Sequence, residues 1–327
     1  MSEARFHRLR VVEVRPETDS AVCVTFDVPE PLRDTFRFIQ GQYLTLSARI
    51  NGENVSRSYS ICSGVDDGCL KVGIKKIDGG LFSTYANECL SAGDEIRVMP
   101  PKGNFHTALS ADNRKNYMCI CIGSGITPIL SIVKSILERE PRSVVTLLYG
   151  NRNSATVMFK SELSFLKNRY MTRFNWVNIL SREEQDAEVL YGRIDNRKGG
   201  ELQRKRLIDI AGTDEFFLCG PQSMISEVSR GLRGSGVDET HIHYELFSSS
   251  IEGHYIPGLT AHVSASGAIR GFADSPTAMA SAVNLLNSRQ HSRLGAAAMS
   301  ARSSKRSAKQ RSNSSRSPDS YAFAMPT

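Results

Sequence analysis

A short run in the first quarter of the chain places a guanidinium, an aromatic ring and hydroxyls one or two residues apart. Arg57, Tyr59 and Ser60 belong to an RSYS segment that is predicted as a strand. A guanidinium can hold a pyrophosphate through two hydrogen bonds, and a tyrosine ring can stack on a flat heterocycle such as isoalloxazine. A serine hydroxyl can bond the reactive edge of that ring. Alone, the segment is also compatible with an ordinary strand that exposes an arginine.

A second segment, GGLFS, places two glycines ahead of a predicted helix. Because they lack a Cβ, Gly79 and Gly80 allow the backbone to approach a ligand closely, and the helix N-terminus offers free N–H groups to a phosphate. By itself this is only a turn that leads into a helix. Since it follows the RSYS run within the same β-rich region, it favours a flavin site.

A third segment, GSGITP, follows an apolar strand-like run and precedes a helix. Gly123 and Gly125 lie at this strand-to-helix turn, Thr127 is able to cap the helix, and Pro128 suits its first turn. The segment differs from a GxGxxG fingerprint because Pro128 stands where the third glycine would be. Its position predicts a pyrophosphate site.

A fourth segment, CGPQSM, forms another strand-to-helix turn. Cys219 is either a small buried side chain or a residue that contacts the nicotinamide where a hydride passes.

The elements that position these segments change character near residue 110. Six β-branched or alternating runs and one helix (81–90) fill residues 6–105, which predicts a closed antiparallel barrel. From Tyr117, five strand-like runs alternate with helices, which predicts a parallel doubly wound sheet. The helices are expected at 126–140, 155–170, near 200–210 and 221–236. The domain limits predicted are 1–109, 110–247 and a tail at 248–327.

The net charge of +7 comes almost entirely from the last 80 of the 327 residues. Residues 248–327 hold nine Lys and Arg but three Asp and Glu, together with 18 Ser and 14 Ala. Residues 1–247 hold 32 basic and 31 acidic residues. A nearly neutral body argues against nucleic-acid binding as the main function, and the tail is expected to be low-complexity and disordered.

The cysteines and the apolar runs point to a cytoplasmic protein. Seven cysteines, with no CxxC pair, are incompatible with a disulfide scaffold and argue against a zinc site, so no metal ligands are assigned. No apolar run approaches the length of a membrane span, and the first residues lack the apolar core of a secretory signal.

The order RSYS, GGLFS, GSGITP, YGNRN, CGPQSM resembles the ferredoxin–NADP reductase superfamily. Within it, the segments YGNRN, LSRE, YGRI, FLCGPQSM and IHYELF are most similar to the phenylacetyl-CoA epoxidase reductase family of phenylacetate catabolism. The resemblance covers about residues 5–248. It implies an FAD-dependent oxidoreductase that takes a hydride from NADPH or NADH and passes single electrons to the diiron oxygenase subunits.

The resemblance also implies a role for each matching residue. Ser181 and Arg182 lie where relatives hold the 2′-phosphate of NADPH, with Arg152 close by, so NADPH is favoured over NADH; if Arg182 is only a surface charge, that preference has no support. The reacting centre would include Tyr59, Ser60, Cys219 and, more weakly, Phe247. The cofactor-binding residues implied are Arg57, Tyr59, Ser60, Val72, Ile74, Lys75, Gly80, Phe82, Ser83, Gly123, Gly125, Thr127, Pro128, Arg152, Ser181, Arg182, Cys219, Gly220 and Met224.

Full members of that family continue into a plant-type [2Fe–2S] domain, from which this chain departs. Such a domain needs C-x4-C-x2-C and a distant fourth cysteine, but no cysteine follows Cys219. The tail therefore suggests a reading-frame change that replaced the cluster domain. Two alternatives are a basic, disordered arm for nucleic acid or an acidic partner, and a two-domain reductase with an irrelevant extension. An alternative function is a binding or regulatory protein that keeps the fold without the activity.

Overall fold

The computed structural model describes residues 6–247, all of which belong to one compact unit. The expectation of a disordered tail at 248–327 lies outside the described residues. No helix in the described range is long and apolar enough to cross a membrane.

A six-stranded antiparallel sheet forms the first half, in the order β4-β3-β6-β1-β2-β5. Its two edges meet where Ile61 bridges Val72, so the sheet closes into the predicted barrel. Alternate side chains point inward and form an apolar core, and helix α1 (Leu81–Glu88) packs against it through Phe82 and Ala86. The strands are β1 (His7–Thr18), β2 (Ala21–Asp27), β3 (Tyr43–Ile50), β4 (Glu53–Ser60), β5 (Leu70–Lys75) and β6 (Glu95–Val98).

A five-stranded parallel sheet forms the second half, in the order β11-β10-β7-β8-β9. Its strands are nearly all apolar because helices cover both faces, so the doubly wound prediction is confirmed. The strand order reverses between β7 and β10, which is where such sheets bind ligands. The strands are β7 (Asn116–Ile122), β8 (Val144–Asn151), β9 (Phe174–Leu180), β10 (Glu215–Gly220) and β11 (Ile242–Leu246), and the helices are α2 (Ile126–Arg139), α3 (Lys160–Arg169), α4 (Asn196–Arg204) and α5 (Gln222–Gly234).

Three local predictions differ from the structure. Helix α3 begins five residues later than predicted, because Phe159 adopts a left-handed conformation (φ 58°) that no helix can continue through. Helix α4 begins earlier, where the side chain of Asp195 accepts a hydrogen bond from the Lys198 N–H as an N-cap. The capping role of Thr127 is wrong: it lies inside α2, and its hydroxyl donates to the Ser124 carbonyl at 3.0 Å.

Polar contacts and an apolar seam join the barrel to the parallel-sheet half. Arg139 of α2 forms two hydrogen bonds of 2.7 Å with Asp66, in the loop between β4 and β5. The Phe159 N–H donates to the carboxylate of Glu17, at the end of β1, over 2.9 Å. Barrel residues such as Ala21 share one buried cluster with α2 and α3, so the two halves pack as parts of one core.

Candidate functional site

The predicted dinucleotide turn and the CGPQSM turn touch at the point where the strand order reverses. Gly125 packs directly on the backbone of Cys219, and a Cβ added at Gly125 would overlap the Cys219 carbonyl. Gly123 has a positive φ (56°) and its carbonyl accepts a hydrogen bond from the Tyr149 hydroxyl at 2.9 Å. Only glycine allows this approach, which brings the start of α2 against the Cys219 turn.

A serine from the barrel and a carboxylate from the parallel sheet meet at the same place. The Ser60 hydroxyl, at the end of β4, donates to Oε2 of Glu245 in β11 over 3.2 Å. Both side chains are buried. Burial raises the pKa of Glu245 to about 7, and the hydrogen bond from Ser60 opposes that rise. Glu245 therefore changes protonation state near neutral pH, which suits a group at a reacting centre.

Cys219 and Cys121 lie beside Glu245 in one row across three strands. The strand pairing puts Cys219 opposite both Glu245 and Cys121. Burial, with a smaller effect from the neighbouring Glu245, raises the pKa of the Cys219 thiol far above its ordinary value. The residue is therefore a neutral thiol, suited to packing against a ligand and not to nucleophilic attack.

The predicted flavin residues of β4 line one side of the barrel. The Arg57 guanidinium donates to the Ser56 carbonyl at 2.8 Å, and no carboxylate within residues 6–247 lies at salt-bridge distance from it. The ring of Tyr59 is tilted 40° from that of Phe82, with centroids 5.5 Å apart. Burial raises the pKa of Tyr59, so the phenol is neutral.

The predicted residues of β5 divide between the two faces of that strand. Val72 and Ile74 are fully buried in the barrel core, so only their backbone groups can reach a cofactor. Lys75 points the other way: its Nζ would lie 3.6 Å from a Cβ placed on Gly123. Burial and then the nearby charge of Arg152 lower the pKa of Lys75. Lys75 thus brings one cation to the dinucleotide turn, which suits a pyrophosphate.

The GGLFS turn is held by its own serine. Gly79 has a positive φ (73°), and Gly80 immediately precedes α1. The Ser83 hydroxyl accepts from the Ile77 N–H and donates to the Gly80 carbonyl, both over 3.1 Å. The turn is therefore formed before any ligand arrives, and a phosphate would bind to its backbone more readily than to Ser83.

The residues predicted for the 2′-phosphate come together at the ends of β8 and β9. The Arg182 N–H donates to the Arg152 carbonyl over 2.8 Å, and both arginine residues are exposed. The Ser181 hydroxyl donates to the Asn151 carbonyl over 3.3 Å. Glu183 sits in the same loop, but its carboxylate accepts from the Ser154 N–H and hydroxyl.

The remaining predicted residues surround the Cys219 turn. Gly220 contacts Met224: an added Cβ would lie 2.8 Å from the Met224 Cε. Pro128 lies in the first turn of α2 and is buried. Phe247 directly follows β11 and is 42% exposed, so its ring is available to a ligand.

Glu245 is the residue that the sequence reasoning missed as a site residue. The segment HYELF marked the end of the domain, but nothing in it shows that the glutamate is buried. The available signal was a carboxylate at the carboxyl end of the last strand of a parallel sheet, where ligands bind.

Two domain families match consecutive parts of the chain. Residues 8–107 match the oxidoreductase FAD-binding domain, and residues 119–230 match the oxidoreductase NAD-binding domain. The matches agree with the division between barrel and parallel sheet.

Curated relatives are components of oxygenase systems. One of the subunits of the 1,2-phenylacetyl-CoA epoxidase from Escherichia coli (strain K12) is 42% identical over 244 residues, which are 75% of this chain and 68% of that protein. The 3-ketosteroid-9-alpha-monooxygenase, ferredoxin reductase component, of Rhodococcus rhodochrous is 33% identical over 248 residues, which are 74% of this chain and 65% of that protein. The chain thus spans about two thirds of the length of these relatives.

A solved structure shares the fold. The ferredoxin NADP+ reductase from Neisseria gonorrhoeae, with bound FAD and NADP, superposes with a TM-score of 0.63 at 21% identity. The match covers 75% of this chain and 99% of that one.

Proposed function

The chain belongs to the FAD- and NAD-binding oxidoreductases that include the matched component of 1,2-phenylacetyl-CoA epoxidase, and we propose that it passes electrons from NADPH to an oxygenase component. It is an FAD-dependent oxidoreductase; the nucleotide preference, the residue roles and the acceptor are the proposed parts. The alternative of a binding protein that has lost the activity is not favoured.

One observation carries the proposal: Ser60 of the barrel contacts Glu245 of the parallel sheet at the crevice where the two predicted cofactor sites meet. An electron-transfer reductase needs both cofactors at one point, and only the junction of the two halves provides it. FAD bound to the barrel would accept a hydride from the nicotinamide and release the electrons one at a time.

The residues on the barrel side fit the flavin. Arg57 has a guanidinium without a carboxylate partner in the described range, which suits a pyrophosphate. Tyr59 offers a neutral ring, and the backbone of β5 and the turn at Gly80 offer hydrogen-bonding groups. Lys75 faces Gly123, so we assign it to the dinucleotide phosphates and not to the flavin.

The protonation state of Glu245 decides which of the two residues, Ser60 or Glu245, donates the hydrogen bond between them. When Glu245 is ionised, its Oε2 accepts the Ser60 hydroxyl hydrogen. When Glu245 is protonated, its carboxyl can donate to the Ser60 Oγ, which frees the Ser60 hydrogen to donate to the flavin edge. The pKa of about 7 places this change within the working pH range. Cys219 lies beside Glu245 on the neighbouring strand β10.

The preference for NADPH rests on Arg152, Ser181 and Arg182. Two exposed guanidinium groups on neighbouring loops suit a phosphomonoester. Glu183 would oppose that anion, but its carboxylate is already bonded to Ser154.

We propose a domain boundary near residue 109, and an oxygenase component as the acceptor. The cytoplasm, where NADPH is supplied, is the proposed location.

The visible spectrum of the purified full-length chain, before and after anaerobic NADPH, tests the function. A flavin spectrum that bleaches on NADPH addition is expected. A colourless protein that takes up no added FAD would contradict the proposal.

A further inference from the structure

Two buried thiols from different barrel strands touch at the seam with the parallel-sheet half. Cys23 lies in the middle of β2, and Cys62 follows β4 by two residues. Their Sγ atoms are 3.9 Å apart, and the two residues are 2% and 3% exposed. Both flank β5: Cys23 pairs with Gly73, and the Cys62 N–H donates to the Lys71 carbonyl over 2.9 Å.

The pair differs from the other cysteines of the described range. Within residues 6–247, no other thiol–thiol contact is present among the remaining cysteines, which are Cys69, Cys89, Cys119, Cys121 and Cys219. Around Cys23, by contrast, charged groups of both signs approach: Arg15, Glu17 and Lys71.

The two thiols are also chemically unlike. The hydrogen bond from Cys62 lowers the pKa of Cys23, against the effect of burial, and the positive charges of Arg15 and Lys71 act in the same direction. Burial raises the pKa of Cys62. Because the cations Arg15 and Lys71 act on Cys23, we take Cys23 as the attacking thiol and Cys62 as the resolving thiol.

We propose that Cys23 and Cys62 form a modification site that hydrogen peroxide closes to an intramolecular disulfide. The Cys23 thiolate attacks one peroxide oxygen, the O–O bond breaks, and the hydroxide leaves as water after protonation. The Cys62 sulfur, losing its proton, then attacks the sulfenic sulfur, and the second oxygen leaves as water. Two thiols and one peroxide give one disulfide and two waters.

The source of peroxide rests on the proposed function. A reduced flavin without its protein acceptor gives two electrons and two protons to dioxygen, which forms hydrogen peroxide. The dithiol lies in the same barrel as the predicted flavin residues, so peroxide would form in the part of the protein that carries the thiols.

Closing the bond acts on the reacting centre through Ser60. The sulfur atoms must approach from 3.9 Å to about 2.05 Å. Ser60 precedes Cys62 by two residues, so a shift of the Cys62 backbone is passed directly to Ser60. The contact between Ser60 and Glu245 is thereby disturbed, and since a misplacement of about 1 Å can cost about 10²-fold, we expect flavin reduction to slow about tenfold.

The test treats the full-length FAD-loaded chain with hydrogen peroxide, alkylates the free thiols and maps peptides without reduction. Asp-N together with trypsin separates Cys62 from Cys69 by cutting at Asp66 and Asp67. The expected product is a Cys23–Cys62 linked peptide that dithiothreitol removes. Cys69→Ser, a half-exposed neighbour on the same loop, is the matched control and should still form it.

The functional arm compares flavin reduction by NADPH before and after peroxide. The wild-type chain should slow about tenfold and recover with dithiothreitol, whereas Cys23→Ala should keep its basal rate and not respond to peroxide. If both thiols can still be alkylated after peroxide treatment, the proposed site is wrong. If the linked peptide forms but the rate of flavin reduction stays unchanged, the proposed effect on Ser60 is wrong. The same peptide mapping on the full-length chain without FAD uses added peroxide, so this result stands even if the chain proves to bind no flavin.

Discussion

Two buried glutamates at opposite ends of the parallel sheet show how one residue type serves two purposes. Glu215 begins β10, where Lys115 donates to its carboxylate at 2.7 Å and the His243 ring lies 2.9 Å away. Burial alone would raise its pKa, but these hydrogen bonds lower it to about 2. Glu245, near the end of the neighbouring β11, has Ser60 as its hydrogen-bond donor and a pKa of about 7.

The difference lies in what surrounds each carboxylate. At the amino end of the sheet, the Lys115 ammonium group and the hydrogen bonds from Lys115 and His243 hold Glu215 ionised, so it stabilises the structure. At the carboxyl end, a neutral partner and burial leave Glu245 close to its titration point. The carboxyl end is therefore the functional end of the sheet, because no cation neutralises Glu245 there. In the same way, no carboxylate within residues 6–247 forms a salt bridge with Lys75 or Arg152.

The largest effect is expected from removing the neutral partner of Glu245. Ser60→Ala should slow anaerobic flavin reduction by NADPH about 10²-fold, because a preorganised donor at the reacting edge is lost. Ser58→Ala is the matched control, since that exposed hydroxyl lies two residues away on β4 and contacts only Thr45 at 3.1 Å. Equal rates for the two variants in stopped-flow experiments would remove Ser60 from the mechanism.

A smaller effect is expected from forcing the two halves apart beside the site. Gly73→Ala would place a Cβ 2.6 Å from the Thr127 methyl and 3.0 Å from the Phe159 ring. Hydride transfer should slow about tenfold, and the free energy of unfolding should fall by about 2 kcal/mol.

The control for that substitution is Gly199→Ala in α4, where an added Cβ meets nothing within 4 Å. If Gly73→Ala lowers stability but leaves the transfer rate at the wild-type value, the contact does not set the spacing of the two cofactor sites.

At the carboxyl end of the parallel sheet, the charge of Arg182 should affect the preference for NADPH over NADH and not the stability of the fold. Arg182→Ala should lower kcat/KM for NADPH about tenfold, because one charge-assisted hydrogen bond to the 2′-phosphate is lost. The kcat/KM for NADH, measured in the same steady-state assay, is the internal control. A parallel fall for both nucleotides would contradict the assignment of Arg182 to the 2′-phosphate.

The smallest effect on activity is expected at the other glutamate. Glu215→Gln should cost about 2 kcal/mol of unfolding free energy at neutral pH while flavin reduction stays unchanged. Since folding lowers the pKa of Glu215 from 4.5 to about 2, its contribution is present above pH 4.5 and is lost as the pH falls towards 2.

Urea unfolding at pH 7 and pH 3 measures this. The difference in the free energy of unfolding between wild type and Glu215→Gln should be smaller at pH 3 than at pH 7. Glu95→Gln, which removes an exposed ion pair with Arg8, should change stability little at either pH. A Glu215→Gln variant as stable as wild type at pH 7 would show that Lys115 and His243 contribute nothing to the free energy of unfolding through Glu215.

The sequence predicted every strand and helix of the described range, because apolar periodicity and glycine turns report on local structure. It placed the starts of α3 and α4 wrongly, since the left-handed Phe159 depends on a contact with Glu17 that is remote in sequence. The candidate cofactor residues could be named from local motifs. Glu245 could not, because its chemistry comes from burial and from Ser60, 185 residues away in another domain.

The pH dependence of anaerobic flavin reduction, in wild type and in Glu245→Gln, tests the central claim most directly. Since folding raises the pKa of Glu245 from 4.5 to about 7, the carboxyl is protonated below that pH and leaves the Ser60 hydrogen free. The wild-type rate should fall as the pH rises through about 7. Glu245→Gln, which mimics the protonated form, should keep the acidic-side rate at every pH. A break at the same pH in both proteins, or a variant that is slow throughout, would contradict the account.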